Sequence, residues 1–233
     1  MESTEPIEIS AGLKVIQAVM GFFCWSMLVL PYARRTHGLG QIRQQQRYLF
    51  VCNHVSLLDT ILLGGLLWRS GNCPILVLGD KNVWRTSWIK RALSRPIGFL
   101  LERGKLNPNR INELQKYAQL APPFNLIVFP EGTRGNGVDV AECQPGIYYV
   151  AQAARVPIVP VFIANMQFVS TKTGKFHLFG GLRKIETYFG QPIPPEDFQS
   201  LSREEFTEFV RRKISATRPT PPAAHLNPAP LRG

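Results

Sequence analysis

From Tyr48 onward, short apolar runs alternate with longer amphipathic ones. The stretch YLFVCNHVSLLDTILLGGLL, Tyr48 to Leu67, sets the pattern: a short continuous apolar run, then Asn53-His54, then a second apolar run with Asp59 inside it. YLFVCN predicts a buried strand and SLLDTILLGGLLW a helix. PILVLG (Pro74 to Gly79), GFLLER (Gly98 to Arg103), NLIVF (Asn125 to Phe129), PIVPVFIA (Pro157 to Ala164) and KIETYFG (Lys184 to Gly190) read as further strands. VWRTSWIKRAL (Val83 to Leu93) reads as a basic amphipathic helix and GIYYVAQAAR (Gly146 to Arg155) as another. Asn107 with Pro108 is a cap followed by proline in the first turn, opening a helix with Ile111, Leu114 and Ala118 on one face. Ser202 and Glu205 form a capping box for a final helix to about Ile214. The alternation predicts an α/β fold: a single domain with a largely parallel central sheet flanked by helices.

One segment stands outside this rhythm. Val15 to Leu30, VIQAVMGFFCWSMLVL, is sixteen residues without a charge, bounded by Lys14 and by Arg34-Arg35. As a helix it would be roughly 24 Å long, short of the roughly 30 Å hydrocarbon core, so a re-entrant, interfacial or thin-spanning membrane helix is expected as much as a full crossing, with a buried core helix as the alternative. Glu2, Glu5 and Glu8 before it, and no small-x-small cleavage site before Pro31, fit a secretory signal poorly. On the membrane reading, Arg34, Arg35, Arg43 and Arg47 leave the rest of the chain facing the cytoplasm. The expected organisation is a membrane-associated segment over residues 1–35, a domain over 36–216, and a tail over 217–233. That tail, with five prolines in seventeen residues, reads as disordered.

Composition refines this only a little. A chain of 233 residues with 45% hydrophobic content suits one domain with a sizeable core. Cys24, Cys52, Cys73 and Cys143 form no C-x-x-C pair, which fits reduced thiols better than a disulfide or zinc framework. No metal site is expected. The formal net charge of +11 implies an anionic partner, either nucleic acid or an acidic membrane surface with phosphate-bearing ligands.

In parallel sheets the working residues gather at the carboxyl ends of strands. Two polar clusters fall there: Asn53-His54 with Asp59, and FPEGTR, Phe129 to Arg134. G-x-S-x-G, H-E-x-x-H, a P-loop and G-x-G-x-x-G are absent. Ser56 to Asp59 matches a capping box, which would account for Asp59 as a helix cap and leave His54 an ordinary turn residue. Alternatively the Asp59 carboxylate folds back on the imidazole, fixing its tautomer and freeing the other nitrogen as a base for a hydroxyl proton. Asp59 can serve both ends.

These residues resemble the glycerophospholipid acyltransferase family, specifically its lysophosphatidic acid acyltransferases. NHVSLLD matches the family's N-H-x-x-x-x-D box, GFLLER is similar to its second motif, FPEGTR matches its third, and VPIVPV (Val156 to Val161) its fourth. The resemblance implies His54 as general base and Asp59 as its orienting partner, with Arg103, Glu131, Gly132, Thr133 and Arg134 at the acceptor's glycerophosphate site. Lys81 resembles a lysine placed near the same head group. Glu131 is expected to shape that site, or to pair with an arginine. The implied reaction moves a fatty acyl group from acyl-CoA or acyl carrier protein to a lysophospholipid hydroxyl, 1-acylglycerol-3-phosphate first among acceptors. It needs no cofactor and no covalent acyl-enzyme.

Three departures bear on the acceptor rather than the base. Gly98 sits one place later than usual before the arginine, Gly135 replaces a serine after Arg134, and Gln144-Pro145 replace a lysine before Gly146. They keep another acceptor, such as a lyso-ornithine lipid, in play. A basic nucleic-acid-binding protein is the rival from another class, with WRTSWIKRALSR as its surface, but Trp84 and Trp88 among lipids with Arg85, Lys90 and Arg91 at head groups suits a membrane interface as well. The reading adopted takes membrane lipid as partner and no nucleic acid.

Overall fold

Runs that are apolar at every position need cover on both faces, which is how the centre of this molecule is built. The computed structural model describes residues 11–44, 46–80, 98–101, 108–119, 124–171 and 173–218. Among the described residues the seven strands are β1 (Ala33–His37), β2 (Leu49–Cys52), β3 (Ile75–Asp80), β4 (Gly98–Leu101), β5 (Asn125–Val128), β6 (Ile158–Ala164) and β7 (Ile185–Phe189). They form one sheet in the order β1-β7-β6-β2-β5-β3-β4. β2 to β6 all run parallel. β2, β5 and β6 are buried at every residue, whereas β7 alternates buried and half-buried positions and pairs antiparallel to β6. β1 was not expected as a strand. It pairs with β7 at the sheet edge, and Arg34 and Arg35, read from the sequence as a basic flank, are exposed edge charges that discourage further strand pairing.

Alternation along the strands divides the core in two. Leu49, Val51, Leu76, Leu78, Leu126 and Val128 face α3 (Pro108–Gln119), α4 (Gly146–Ala154) and α5 (Arg203–Thr217), where Leu114, Ile147, Val150, Phe206 and Ile214 are buried. Phe50, Cys52, Ile75, Val77, Ile127, Val159, Val161 and Ile163 face the other way, toward α2 (Leu58–Arg69) and the N-terminal helix. The capping box of α5 has both halves: Glu205 N–H donates to Ser202 Oγ (3.3 Å) and Ser202 N–H to Glu205 Oε2 (2.8 Å). α5 runs to Thr217, three residues past the expected end. Asn107, the helix expected over Val83 to Leu93, and the tail from Pro219 lie outside the described residues.

The N-terminal helix is longer than its uncharged run. α1 (Ala11–Cys24) continues through a π-helical stretch, Trp25–Val29, to a last turn, Leu30–Tyr32. This 22-residue helix contains an 18-residue window of mean hydropathy 1.8 and is, by length and composition, long and apolar enough to cross a membrane. One face is nevertheless docked on the domain. Gln17, buried in the middle of the apolar run, receives a hydrogen bond from Ile75 N–H (2.9 Å) and donates one to Ile75 O (3.0 Å), satisfying the backbone where β3 begins. A Cβ on Gly21 would lie 2.3 Å from Trp68 Cγ, and one on Gly65 would lie 2.8 Å from Trp25 N, so both glycines permit close contact between α1 and α2. Leu28, Val29 and Tyr32 enter the core, while Val15, Ile16, Val19, Phe22, Phe23, Met27 and Leu30 are exposed. The core-packed alternative therefore describes one side of this helix, and the other side is apolar and exposed. The boundary expected between residues 35 and 36 falls inside β1.

Candidate active site

β2 and β5 are neighbours, with Val51 opposite Val128, so the segments that follow them emerge side by side at the carboxyl edge of the sheet. This brings the two polar clusters together. Asn53 is buried and structural: its side chain accepts from Ile163 N–H (2.7 Å) and donates to Ile163 O (3.0 Å), clamping the end of β2 to β6. His54 follows in the turn, its side chain 16% exposed and its ring stacked on Phe129 at 4.3 Å between centroids.

Asp59, wholly buried in the first turn of α2, gathers three donors on one oxygen. Oδ2 lies 2.9 Å from His54 Nδ1, and accepts from Val55 N–H at 2.6 Å and Ser56 N–H at 2.9 Å. Asp59 thus closes the turn and holds the imidazole at once. The capping box is only half formed, because Ser56 Oγ accepts from Leu58 N–H (3.3 Å) and donates to Ser170 Oγ (2.8 Å) while Asp59 N–H donates to Ser56 O (3.0 Å). With Nδ1 bound to a carboxylate, Nδ1 carries the proton of the neutral ring and Nε2 is left as the basic nitrogen.

Glu131 does something that neither expectation for it described. It is 2% exposed; Oε1 accepts from the His54 N–H (2.8 Å) and Oε2 from Ala141 N–H (3.1 Å). Burial pushes its carboxyl above the usual range, and the two amide donors pull it back part of the way. The third-motif carboxylate is therefore a buckle from the β5 end to the backbone of the β2 end, and among the described residues its partners are amides rather than an arginine. Glu131→Ala should leave two N–H groups without their acceptor, about 1–3 kcal/mol each, and let His54 drift. Thermal unfolding and turnover of that variant should fall together; unchanged turnover would show that the buckle does not set the His54 position.

Gly132 has φ +65°, and its N–H closes a turn onto Phe129 O at 3.1 Å, so the left-handed backbone accounts for the glycine there. Gly135, where the family pattern has serine, donates its N–H to His54 O at 2.6 Å, and a Cβ on it would sit 3.0 Å from Glu131 Oε2. In this chain the departure lets the turn press directly against the buckle. Thr133 is exposed and Arg134 partly exposed beside it, and Arg134 forms no ion pair with a carboxylate among the described residues. Lys81 and Arg103 lie outside the described residues; in the chain they follow the last residues of β3 and β4, Asp80 and Leu101, by one and two places. A depression of about 460 Å³ opens beside Val55 and Gly135, walled also by Asp139, Gln167 and Thr171.

Cys52, two residues before His54, carries a thiol, the side chain type most able to accept an acyl group covalently. It is fully buried, and burial, then the Asp59 and Glu131 carboxylates, push its thiol well above the ordinary range. A thiolate is not available there at neutral pH. The sequence patterns did not disclose the Asn53 clamp, the Ser56–Ser170 bond or the Glu131 buckle. The only signal was the presence of hydrogen-bonding side chains in segments otherwise apolar enough to be core.

Comparison with known proteins places this geometry in context. The family model described as Acyltransferase matches residues 33–164. A protein of Mycoplasma genitalium named "Probable 1-acyl-sn-glycerol-3-phosphate acyltransferase" is 30% identical over 175 residues, 72% of this chain and 64% of that one. The Mycoplasma pneumoniae protein of the same name is 28% identical over 174 residues, 72% of this chain and 65% of that one. The 1-acyl-sn-glycerol-3-phosphate acyltransferase of Saccharomyces cerevisiae is 28% identical over 175 residues, covering 73% of this chain and 55% of the yeast protein. The match thus spans just under two thirds of the bacterial relatives' length and about half of the yeast one. The crystal structure of the 1-acyl-sn-glycerophosphate acyltransferase PlsC from Thermotoga maritima shares the fold, with a TM-score of 0.62 over 91% of this chain and 82% of that one at 19% identity. With the family model covering residues 33–164, from β1 through the Asn-His-Asp turn to the end of β6, this chain belongs to the acyltransferase family.

Proposed function

We propose that this chain transfers a fatty acyl group from a thioester, acyl-CoA or acyl carrier protein, to the free hydroxyl of 1-acylglycerol-3-phosphate, yielding phosphatidic acid. The observation that carries the reading is the 2.9 Å contact between His54 Nδ1 and a buried Asp59 oxygen that also ties down the turn. His54 Nε2 takes the acceptor's hydroxyl proton as that oxygen bonds to the thioester carbonyl carbon. The tetrahedral intermediate then collapses, the C–S bond breaks, and the imidazolium returns the proton to the departing thiolate. Asp59 stabilises the imidazolium that exists between the two transfers. The burial of Cys52 supports direct transfer over an acyl-cysteine route. The names of the relatives support the acceptor.

Arg134, Arg103 and Lys81 are the cations proposed for the acceptor phosphate, with Gly132 and Thr133 in the loop that presents Arg134. Planar guanidinium forks suit a phosphate dianion. The exposed apolar side of the N-terminal helix lies in the membrane, and the sheet edge bearing His54 works at the cytoplasmic surface, where the lipid acceptor resides.

The test is thiol release by the full-length protein with both donors and a panel of lysolipids. Turnover should be greatest with the phosphate-bearing acceptor; a preference for a lysolipid without phosphate, a lyso-ornithine lipid among them, would reject the assignment. Arg134→Lys and Arg103→Lys keep the charge but lose the fork, so each should cost about 1.5–3 kcal/mol, roughly ten- to hundredfold in kcat/KM, on the phosphorylated acceptor. Equal losses on acceptors with and without phosphate would show that the arginines are structural.

A further inference from the structure

The segment from Met166 to Lys184 leaves β6, returns at β7 and shows an unusual surface. Phe168, Phe176, Leu178 and Leu182 are 48%, 50%, 53% and 43% exposed, and Phe179 is 80% exposed. Single exposed apolar residues are ordinary; five on one short connection are not. No acidic residue occurs between Cys143 and Ile185, while Lys172, Lys175, Arg183 and Lys184 all fall on this connection. The Lys184 ammonium lies 5.1 Å from the centre of the Phe168 ring, so charge and apolar surface are interleaved. An apolar surface with a basic rim matches an anionic lipid interface.

Two attachments link this surface to the rest of the molecule. On one side it is stapled to the end of the N-terminal helix: Tyr32 Oη donates to Leu178 O (3.0 Å), Arg183 N–H donates to Pro31 O (3.1 Å), and the Tyr32 and Phe176 rings meet edge-on at 5.8 Å. That helix end itself exposes Met27 (73%) and Leu30 (54%). On the other side the loop is bolted to the catalytic turn, through the 2.8 Å bond from Ser56 Oγ to Ser170 Oγ, and its Gln167 and Thr171 wall the depression beside Val55.

We propose that the 166–184 connection is a second membrane-insertion element, which seats Phe179 and its apolar neighbours among lipid acyl chains with Lys175, Arg183 and Lys184 at anionic head groups. It rests on the membrane reading of the N-terminal helix and extends it. Because its base is tied to the turn that carries His54, the loop holds the active site against the surface from which a two-tailed product and a one-tailed acceptor exchange. The helix anchors the protein, and the loop orients it.

The experiment uses the full-length chain with phosphatidylcholine vesicles containing phosphatidylglycerol, some with brominated acyl chains. Met27→Trp and Phe179→Trp, each compared with the parent's own tryptophans, should both gain quenching by the brominated lipid. Quenching gained by Met27→Trp but not by Phe179→Trp overturns the loop while leaving the helix in place; no gain by either overturns both. This readout does not depend on turnover. In a second arm Leu178→Ser/Phe179→Ser/Leu182→Ser, which spares the Phe176–Tyr32 contact, should lower turnover of a vesicle-embedded long-chain acceptor at least tenfold. A short-chain acceptor dissolved as monomer should stay within twofold. Equal loss on both acceptors overturns the proposal, as does unchanged vesicle turnover with a loss of self-association in sedimentation, which would assign the patch to a second copy of the chain. Lys175→Gln should weaken binding to the anionic vesicles by about fivefold and leave binding to neutral ones unchanged; equal weakening on both removes the head-group contact from the model of insertion.

Discussion

His54→Ala should abolish nearly all turnover while leaving the fold in place. The imidazole touches Asp59 Oδ2 and stacks on Phe129, yet the anchors of its turn are backbone groups: His54 N–H on Glu131 and His54 O receiving Gly135 N–H. Alanine keeps both. The Asp59 carboxylate also keeps two of its three donors, Val55 N–H and Ser56 N–H, so no buried charge is stranded without a partner. A general base contributes about 10² to 10⁴ in rate, and that is the expected loss in kcat, with a change in unfolding temperature of only a few degrees. Turnover within about threefold of the parent, in a variant with unchanged unfolding, would remove His54 from the chemistry.

Asp59→Asn should cost about as much activity by a different route, and it separates the two things Asp59 does. An asparagine oxygen at the Oδ2 position still accepts from Val55 and Ser56, so the start of α2 survives. What disappears is the negative charge facing the imidazole. Asp59 Oδ1 is buried with no hydrogen-bond partner among the described residues, so the new amide NH₂ would occupy a site without an acceptor and cost about 1–3 kcal/mol of stability. The expected result is a fall in kcat of about 10² or more with a modest fall in unfolding temperature. Asp59→Ala should be the less stable of the two variants, because both backbone donors then lose their acceptor. If Asp59→Asn unfolds several degrees earlier but turns over normally, the residue is a turn-closing cap and the imidazole works without it.

The polar punctuation of the second apolar run was readable because hydrogen-bonding side chains inside core-grade sequence need a reason, and a histidine with a carboxylate five residues on allows few. The half-formed capping box explains why the two readings of Asp59 could not be separated beforehand. Local spacing determines that a carboxylate three residues after Ser56, in the first turn of a helix, can reach back to the turn, and the same oxygen that does so also reaches the imidazole. The Glu131 buckle was not legible for the opposite reason: its partner, the His54 amide, is 77 residues away in the chain, and nothing local to FPEGTR points to it.

The sequence alone located β2 to β7 and the described helices between them, because periodicity and run length are local properties set by which faces must leave water. It also singled out His54 as the candidate base, since few side chains can accept a hydroxyl proton at neutral pH. The tertiary structure decided the adjacency of β2 and β5, which turns two separate motifs into one site. It also decided the reversal of β7, the edge strand at Arg34-Arg35, and the division of the N-terminal helix into a docked face and an exposed face. Those outcomes depend on packing between segments remote in the chain. An apolar face reads the same whether it meets lipid or another helix, and it is contacts such as Gly21 against Trp68, and Gln17 against Ile75, that show which face docks on the domain.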